Sequence, residues 1–272
     1  MPGTKIKVVD KIVQVMELLA NSTEKMPLAN VSRDLGLNKI TALRVLRALE
    51  SHNLVARDES KAYMLGPRVL WWESCFRRNF QSLGIIRPSL DRLRHLTSET
   101  VTLSILAGNR TVVIDQSISP HLTSTRFELG SSAPLHAGAS GRVFLSHMGP
   151  EERENVLRQT VLNQVTDKTI GNKAHLRKVL AQCKLDGFAI SKGERIPNTT
   201  SIAAPVFGLY GKVLGVISVV GPSARLTTGR YHSIIPILLK EVRLLTNVMT
   251  KSDGNEPRDR RPINQPYRRS NR

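Results

Sequence analysis

The hydrophobic positions of the chain recur first at helical and then at strand spacing, with short polar breaks between. "IKVVDKIVQVMELLA" (6–20) repeats Val9, Ile12, Val13, Met16, Leu19 and Ala20 at intervals of a helical turn, which predicts an amphipathic helix. "NSTEKMP" breaks it. Pro27 suits the first turn of a second helix, "PLANVSRDLG" (27–36), and Gly36 suits its stop. "NKITALRVLRALESHN" (38–53) carries a third apolar stripe, and "LVARDESKAYML" (54–65) reads strand, polar turn, strand. Helix, helix, turn, helix, hairpin is the order of a winged helix-turn-helix.

The remainder mixes both periods. "GPRVLWWESCFRRNF" (66–80) is a helix with Pro67 near its start and a Val69, Trp72, Cys75/Phe76 stripe, read as a linker. A further amphipathic helix covers 86–100, and a hairpin covers 101–117 with "AGNR" as its turn. "LHAGASGRVFLSHM" (135–148) opens a helix with small residues, and two more helices fall near 151–160 and 172–185. Segments 187–194 and 199–221 are strand-rich, with a tight turn at "LYGK". A terminal helix spans 229–250, with Pro236 expected near its first turns. Strands and helices mix without regular βαβ alternation, so the expected class is α+β with a mainly antiparallel sheet. The division reads as a winged helix-turn-helix over 1–66, a linker helix over 67–84, a larger domain over 85–250 and a basic, Pro/Arg-rich tail over 251–272 that is expected to be disordered.

On a wheel of about 100° per residue, the third helix places Ala42, Leu43, Val45, Leu46 and Leu49 on one arc. Ile40, Thr41, Arg44, Arg47, Ala48 and Ser51 fall on the other, and Lys39 sits at the N-terminal end, where a cation opposes the helix dipole unless an anion lies beyond it. Following a helix-turn signal, Thr41, Arg44 and Arg47 are candidates to contact double-stranded DNA. Ile40 has two readings: contact with a thymine methyl in a major groove, or partial burial against the second helix. Arg57 and Lys61 in the hairpin are lesser candidates for phosphate, since Asp58 and Glu59 share its tip.

Charge changes the picture only in class. The net charge of +18 favours a polyanionic partner, or serves solubility alone. It is spread along the chain and does not locate a site. Two distant cysteines, Cys75 and Cys183, offer neither a disulfide framework nor metal-ligand spacing. No signal-type leader or apolar run of about 18 residues is visible, so a cytoplasmic protein with no membrane partner is expected. "GASGR" (138–142) tempts a nucleophile reading of Ser140, with His136 four residues before it. The G-x-S-x-G spacing is absent, as are H-E-x-x-H, P-loop and dinucleotide motifs. No catalytic residue, metal or cofactor is expected.

Three stretches together resemble the isocitrate-lyase-regulator (IclR) type of bacterial transcription factor. They are "VSRDLGLNKITALRVLRALESHNLVARDESKAYMLGPRVL", "PLHAGASGRVFLS" and "DGFAISKGERIPNTTSIAAPVFGLYGKVLGVISVVGPSARLT". The similarity runs from about residue 6 to 249. It implies a DNA-binding domain, a linker helix and a GAF-like sensor domain that binds a small organic acid. It also implies a homodimer, or a pair of dimers, on a palindromic operator near a promoter. Carried over from relatives that bind small carboxylates, backbone amides at Ala139 and Ser140 would hold the ligand, which agrees with the physics of a helix N-terminus. Ser191, Ser201 and Ser218 match further pocket positions. A position often Ser in the family is Val220 here, which should make the pocket more apolar and brings aromatic acids among the candidates. The family's usual Gly after "E-x-x-P" is Asn198, its usual Lys is Arg142, and its usual recognition-helix Ser is Ile40. Against this stands one alternative: a small-molecule-binding or metabolic protein whose basic charge is incidental.

Overall fold

A computed structural model describes residues 6–80 and 82–252, the side chains at 79, 251 and 252 excepted. The chain divides into two units, Met1–Gln81 and Ser82–Arg272. Of the tail expected to be disordered over 251–272, residues 251 and 252 continue the terminal helix and 253–272 lie outside the described residues.

In the first unit, α1 (Lys7–Asn21), α2 (Leu28–Asp34) and α3 (Lys39–Ser51) precede the hairpin of β1 (Val55–Arg57) and β2 (Tyr63–Leu65). Val15, Leu19, Met26, Val31, Leu46, Leu49, Val55 and Tyr63 form its core. Burying one such aliphatic side chain contributes about 1.5–3 kcal/mol. The connection between α1 and α2 is pinned to the hairpin by reciprocal backbone bonds of 2.8 Å between Met26 and Tyr63. Pro27 lies one residue earlier than expected, as the N-cap of α2, and Gly36 leaves the helix at φ +62°, a conformation glycine adopts freely. The helix α4 (Arg68–Asn79) follows, with Leu70, Trp71, Trp72 and Phe76 exposed.

The second unit opens with α5 (Ser82–Thr97), which starts four residues earlier than the pattern suggests because Leu83 and Ile86 are both buried. Then come β3 (Thr100–Ala107), β4 (Arg110–Ser117), β5 (Ser132–Pro134), α6 (Ala139–His147), α7 (Pro150–Gln159) and α8 (Lys173–Asp186). The chain ends with β6 (Ala189–Lys192), β7 (Thr199–Phe207), β8 (Val213–Pro222) and α9 (Thr228–Ser252). The architecture is α+β. Six strands form one sheet in the order β5-β4-β3-β8-β7-β6, every neighbouring pair antiparallel. Strand alternation separates its faces: α5 and α9 pack over one, while α6 and α8 bury Ala203 and Val216 on the other. Pro236 stands about two turns into α9, beyond the turn in which a proline's missing N–H costs nothing.

Candidate functional site

The first site is the free face of α3. Ala42, Leu46 and Leu49 are buried against the core. That fixes the helix rotation and turns Lys39, Ile40, Arg44 and Arg47 outward. Asn38 caps the helix by accepting a 2.7 Å bond from the Thr41 amide, so the first turn is held and Thr41 stays half-buried. Of the two readings of Ile40, burial against α2 is ruled out, since the side chain is 73% exposed. Ile40, Arg44, Arg47 and Ser51 share a stripe at helical spacing. Among the described residues, none of Lys39, Arg44 and Arg47 is paired with a carboxylate. Thr41 and Arg44 also border a groove between α1 and α3, with Val8 and Ile12 on its other wall.

The hairpin tip is more ordered by its own contacts than a free phosphate-binding loop. Arg57 donates to the Lys61 carbonyl at 3.3 Å and stands 5.4 Å over the Tyr63 ring, which fixes its guanidinium beside the strand. Lys61 is exposed, at a left-handed φ of +67°. Asp58 organises the turn: it accepts from Ser60 at 2.7 Å and from the Ala62 amide at 2.9 Å, and pairs with Lys25 at 3.1 Å. The Ser60 hydroxyl above all, then the Ala62 amide and Lys25, pull its pKa from 3.8 to about 2. Its charge is thus largely answered within the hairpin.

The second site is a small cavity between α6 and the sheet, part of it open to solvent. Ala139, Ser140, Ser191, Ser201, Ser218 and Val220 all line it. The register explains how distant residues meet. Ser191 on β6 faces Ser201 on β7, which faces Val220 on β8. One row over, Ala203 faces Ser218, which faces Thr102 on β3. At the start of α6, Gly138 takes φ +102°, a backbone conformation open in practice only to glycine, and Gly138, Ala139, Ser140 and Gly141 all line the cavity. Ser140 Oγ lies 2.8 Å from Ser218 Oγ, tying helix to sheet. His136 instead meets the Asn163 carbonyl at 2.9 Å.

At the cavity wall, Glu194 forms a 3.1 Å ion pair with Arg142, the two 8% and 4% exposed, joining α6 to the segment after β6. Burial pushes the Glu194 carboxyl up and the Arg142 guanidinium down from their ordinary values, and their mutual attraction opposes both shifts. Arg142 also donates to the Ile190 carbonyl. Asn198 closes the β6–β7 loop at φ +56°, the left-handed conformation the family's usual glycine would take.

Several lining residues escape the pattern reading. Thr102 and Ser104 on β3, Thr111 on β4 and Thr199 on β7 bring further hydroxyls, and Phe127, Glu194 and Arg195 come from loops. The signal for the strand residues was present: in "VTLSIL" the hydroxyls alternate with Val101 and Leu103, and a strand buried on both faces with one face polar is a lined cavity. Despite Val220, the cavity is rich in hydroxyl groups. Among the described residues no cluster of three His, Cys, Asp or Glu side chains is placed to hold a metal ion.

Comparison with known proteins finds a known domain in each unit. Residues 8–59 match the IclR helix-turn-helix domain, and residues 80–246 match the bacterial transcriptional regulator IclR C-terminal domain. The chain is 30% identical over 253 residues to the HTH-type transcriptional regulator BhcR of Paracoccus denitrificans, covering 92% of this chain and 90% of that one. It is also 30% identical over 222 residues to the HTH-type transcriptional repressor AllR of Escherichia coli, covering 81% and 82%. Among solved structures, an IclR homologue from Microbacterium hydrocarbonoxydans complexed with 4-hydroxybenzoate superposes with a TM-score of 0.72 at 23% identity, over 89% of this chain and 99% of that one. The two family domains matched in succession, and relatives 30% identical over most of the chain, identify it as a DNA-binding transcriptional regulator, not an enzyme, that belongs to the IclR family.

Proposed function

We propose that this regulator is controlled by a small organic acid bound in the cavity beside α6, and that it reads a palindromic operator as a homodimer, or a pair of dimers, through Lys39, Ile40, Thr41, Arg44 and Arg47. Residues 1–66 read DNA, 67–84 link, and 85–250 sense and assemble. Arg57 and Lys61 meet flanking phosphates. One observation carries the effector reading: Ala139, Ser140, Ser191, Ser201, Ser218 and Val220 line a single cavity at the N-terminus of α6, where backbone amides suit an anion. The 4-hydroxybenzoate held by the Microbacterium homologue supports an acid of this size class. Apolar side chains left exposed on α1 (Val8, Val9, Val13) and α4 (Leu70, Trp71, Trp72, Phe76) support association between copies. No helix of the described residues is long and apolar enough to cross a membrane, in keeping with a cytoplasmic regulator.

Control follows from linkage. An acid that binds one dimer state more tightly shifts the population toward it, and the two states present paired α3 helices at different spacing. Footprinting of the full chain on the DNA upstream of the neighbouring genes, at about 100 mM salt where specific binding outlasts non-specific binding, tests this. A two-fold symmetric protected site is expected, with occupancy altered by an acid that also raises the melting temperature. Occupancy indifferent to every acid that binds the protein overturns the reading.

A further inference from the structure

Arg195 is the feature of the cavity that neither the fold nor the ion pairs explain. Adjacent residues of the segment after β6 are treated in opposite ways. Glu194, which lines the cavity, is paired with Arg142. Arg195 has no carboxylate partner among the described residues; burial, and after it the neighbouring cation Arg110, pull its pKa below the ordinary value. It leaves the backbone beside the start of α6, its Cβ 3.7 Å from where a Cβ on Gly138 would stand, and its guanidinium lies 5.2 Å over the Phe127 ring. Phe127 is itself held by two bonds to Gln116, donating its amide at 3.1 Å and accepting the side-chain amide at 2.5 Å. A partly buried guanidinium seated on a fixed ring, with its charge unanswered, costs stability unless an anion completes it. The helix N-terminus at Ala139 adds partial positive charge at the same end.

The other lining groups describe the rest of the ligand. Eight hydroxyl side chains border the cavity: Thr102, Ser104, Thr111, Ser140, Ser191, Thr199, Ser201 and Ser218. Val113, Phe127, Ala137, Ala139, Ile196 and Val220 supply an apolar wall beside them. Such a lining rewards a ligand that can both donate and accept hydrogen bonds. Resting on the effector reading above, we infer that Arg195 is the specificity-determining residue of the cavity and that the effector is a small carboxylate bearing hydroxyl groups. Its carboxylate is shared between the guanidinium and the first amides of α6, and its hydroxyls meet the serine and threonine rows of the sheet.

Calorimetric titration of the full chain with D-gluconate and glycerate (both features), sorbitol (hydroxyls without charge) and hexanoate (charge without hydroxyls) tests this. At least one hydroxy acid is expected to bind about tenfold or more tightly than both controls. Arg195→Gln should weaken it roughly 10- to 100-fold, the loss of a charged hydrogen-bond pair, and Arg195→Lys should restore part. In the unliganded protein, Arg195→Gln should keep or raise the melting temperature, since it removes an unpaired charge. A hydroxy acid that binds wild type and Arg195→Gln equally, controls that bind as well, or no binding by either hydroxy acid, each overturns the inference. Val220→Phe, which fills the cavity, separates the two readings. If it abolishes binding while Arg195→Gln does not, only the present inference fails; if neither variant affects binding, the cavity reading fails with it.

Discussion

Ile40 shows how one side chain carries information that its class alone does not. Apolar and 73% exposed at the first turn of α3, it has no core to join. Replacing it by Ser should leave stability nearly unchanged while altering base preference at one operator position, as selection from a randomised duplex pool would reveal. Arg142 gives the opposite case. Arg142→Ala strands Glu194 as a buried unpaired charge and should cost about 3–5 kcal/mol in urea unfolding, whereas Arg195→Gln costs little. Sequence periodicity places Ile40 and Arg142 on helices and leaves Arg195 between two strand-rich segments, and it cannot separate these roles. A pattern reading sees the same residue type at Arg142 and Arg195. Only the packed structure shows that one is answered by Glu194 and the other rests on Phe127.

At the level of elements, the helices were legible because their periods are local. Leu46 and Leu49 declare the core side of α3 by spacing alone, and the hairpin turns at Asp58–Ser60 and Gly108–Asn109 sit where polar residues interrupt apolar runs. Strand order was not legible. Strand β8 lies between β3 and β7, pairing Ser218 with Thr102 more than a hundred residues away, and nothing in either segment names its partner. Strand β5, three residues long, is too short to show a period. Without the family resemblance, the cavity serines would have been ordinary strand hydroxyls. The wing gives a pH-dependent prediction. Native Asp58 titrates at about 2 instead of 3.8. A lowered carboxyl pKa contributes stability that is fully present above the unfolded value and lost as pH falls through the folded one. The wing should therefore loosen between about pH 4 and pH 2, and Asp58→Asn should remove that step from amide spectra of Ala62. At the start of α6, Gly138→Ala forces a Cβ into φ +102° and should weaken acid binding before it unfolds the domain, as parallel titration and melting would show.

For the whole molecule, a net charge of +18 raises affinity for any nucleic acid, whereas specificity rests on a few side chains of α3. Removing residues 253–272, with their six arginines, should lower non-specific affinity and flatten its dependence on salt while leaving discrimination between sites intact. The most direct measurement is fluorescence anisotropy of the full chain on its footprinted operator and on a scrambled duplex at about 100 mM salt, for wild type and for Arg44→Ala and Arg47→Ala. Loss of about 1–3 kcal/mol of operator affinity in at least one variant, with affinity for the scrambled duplex nearly unchanged, is the expected result. Equal discrimination between the two duplexes by wild type and both variants would contradict the assignment of α3 as the reading helix.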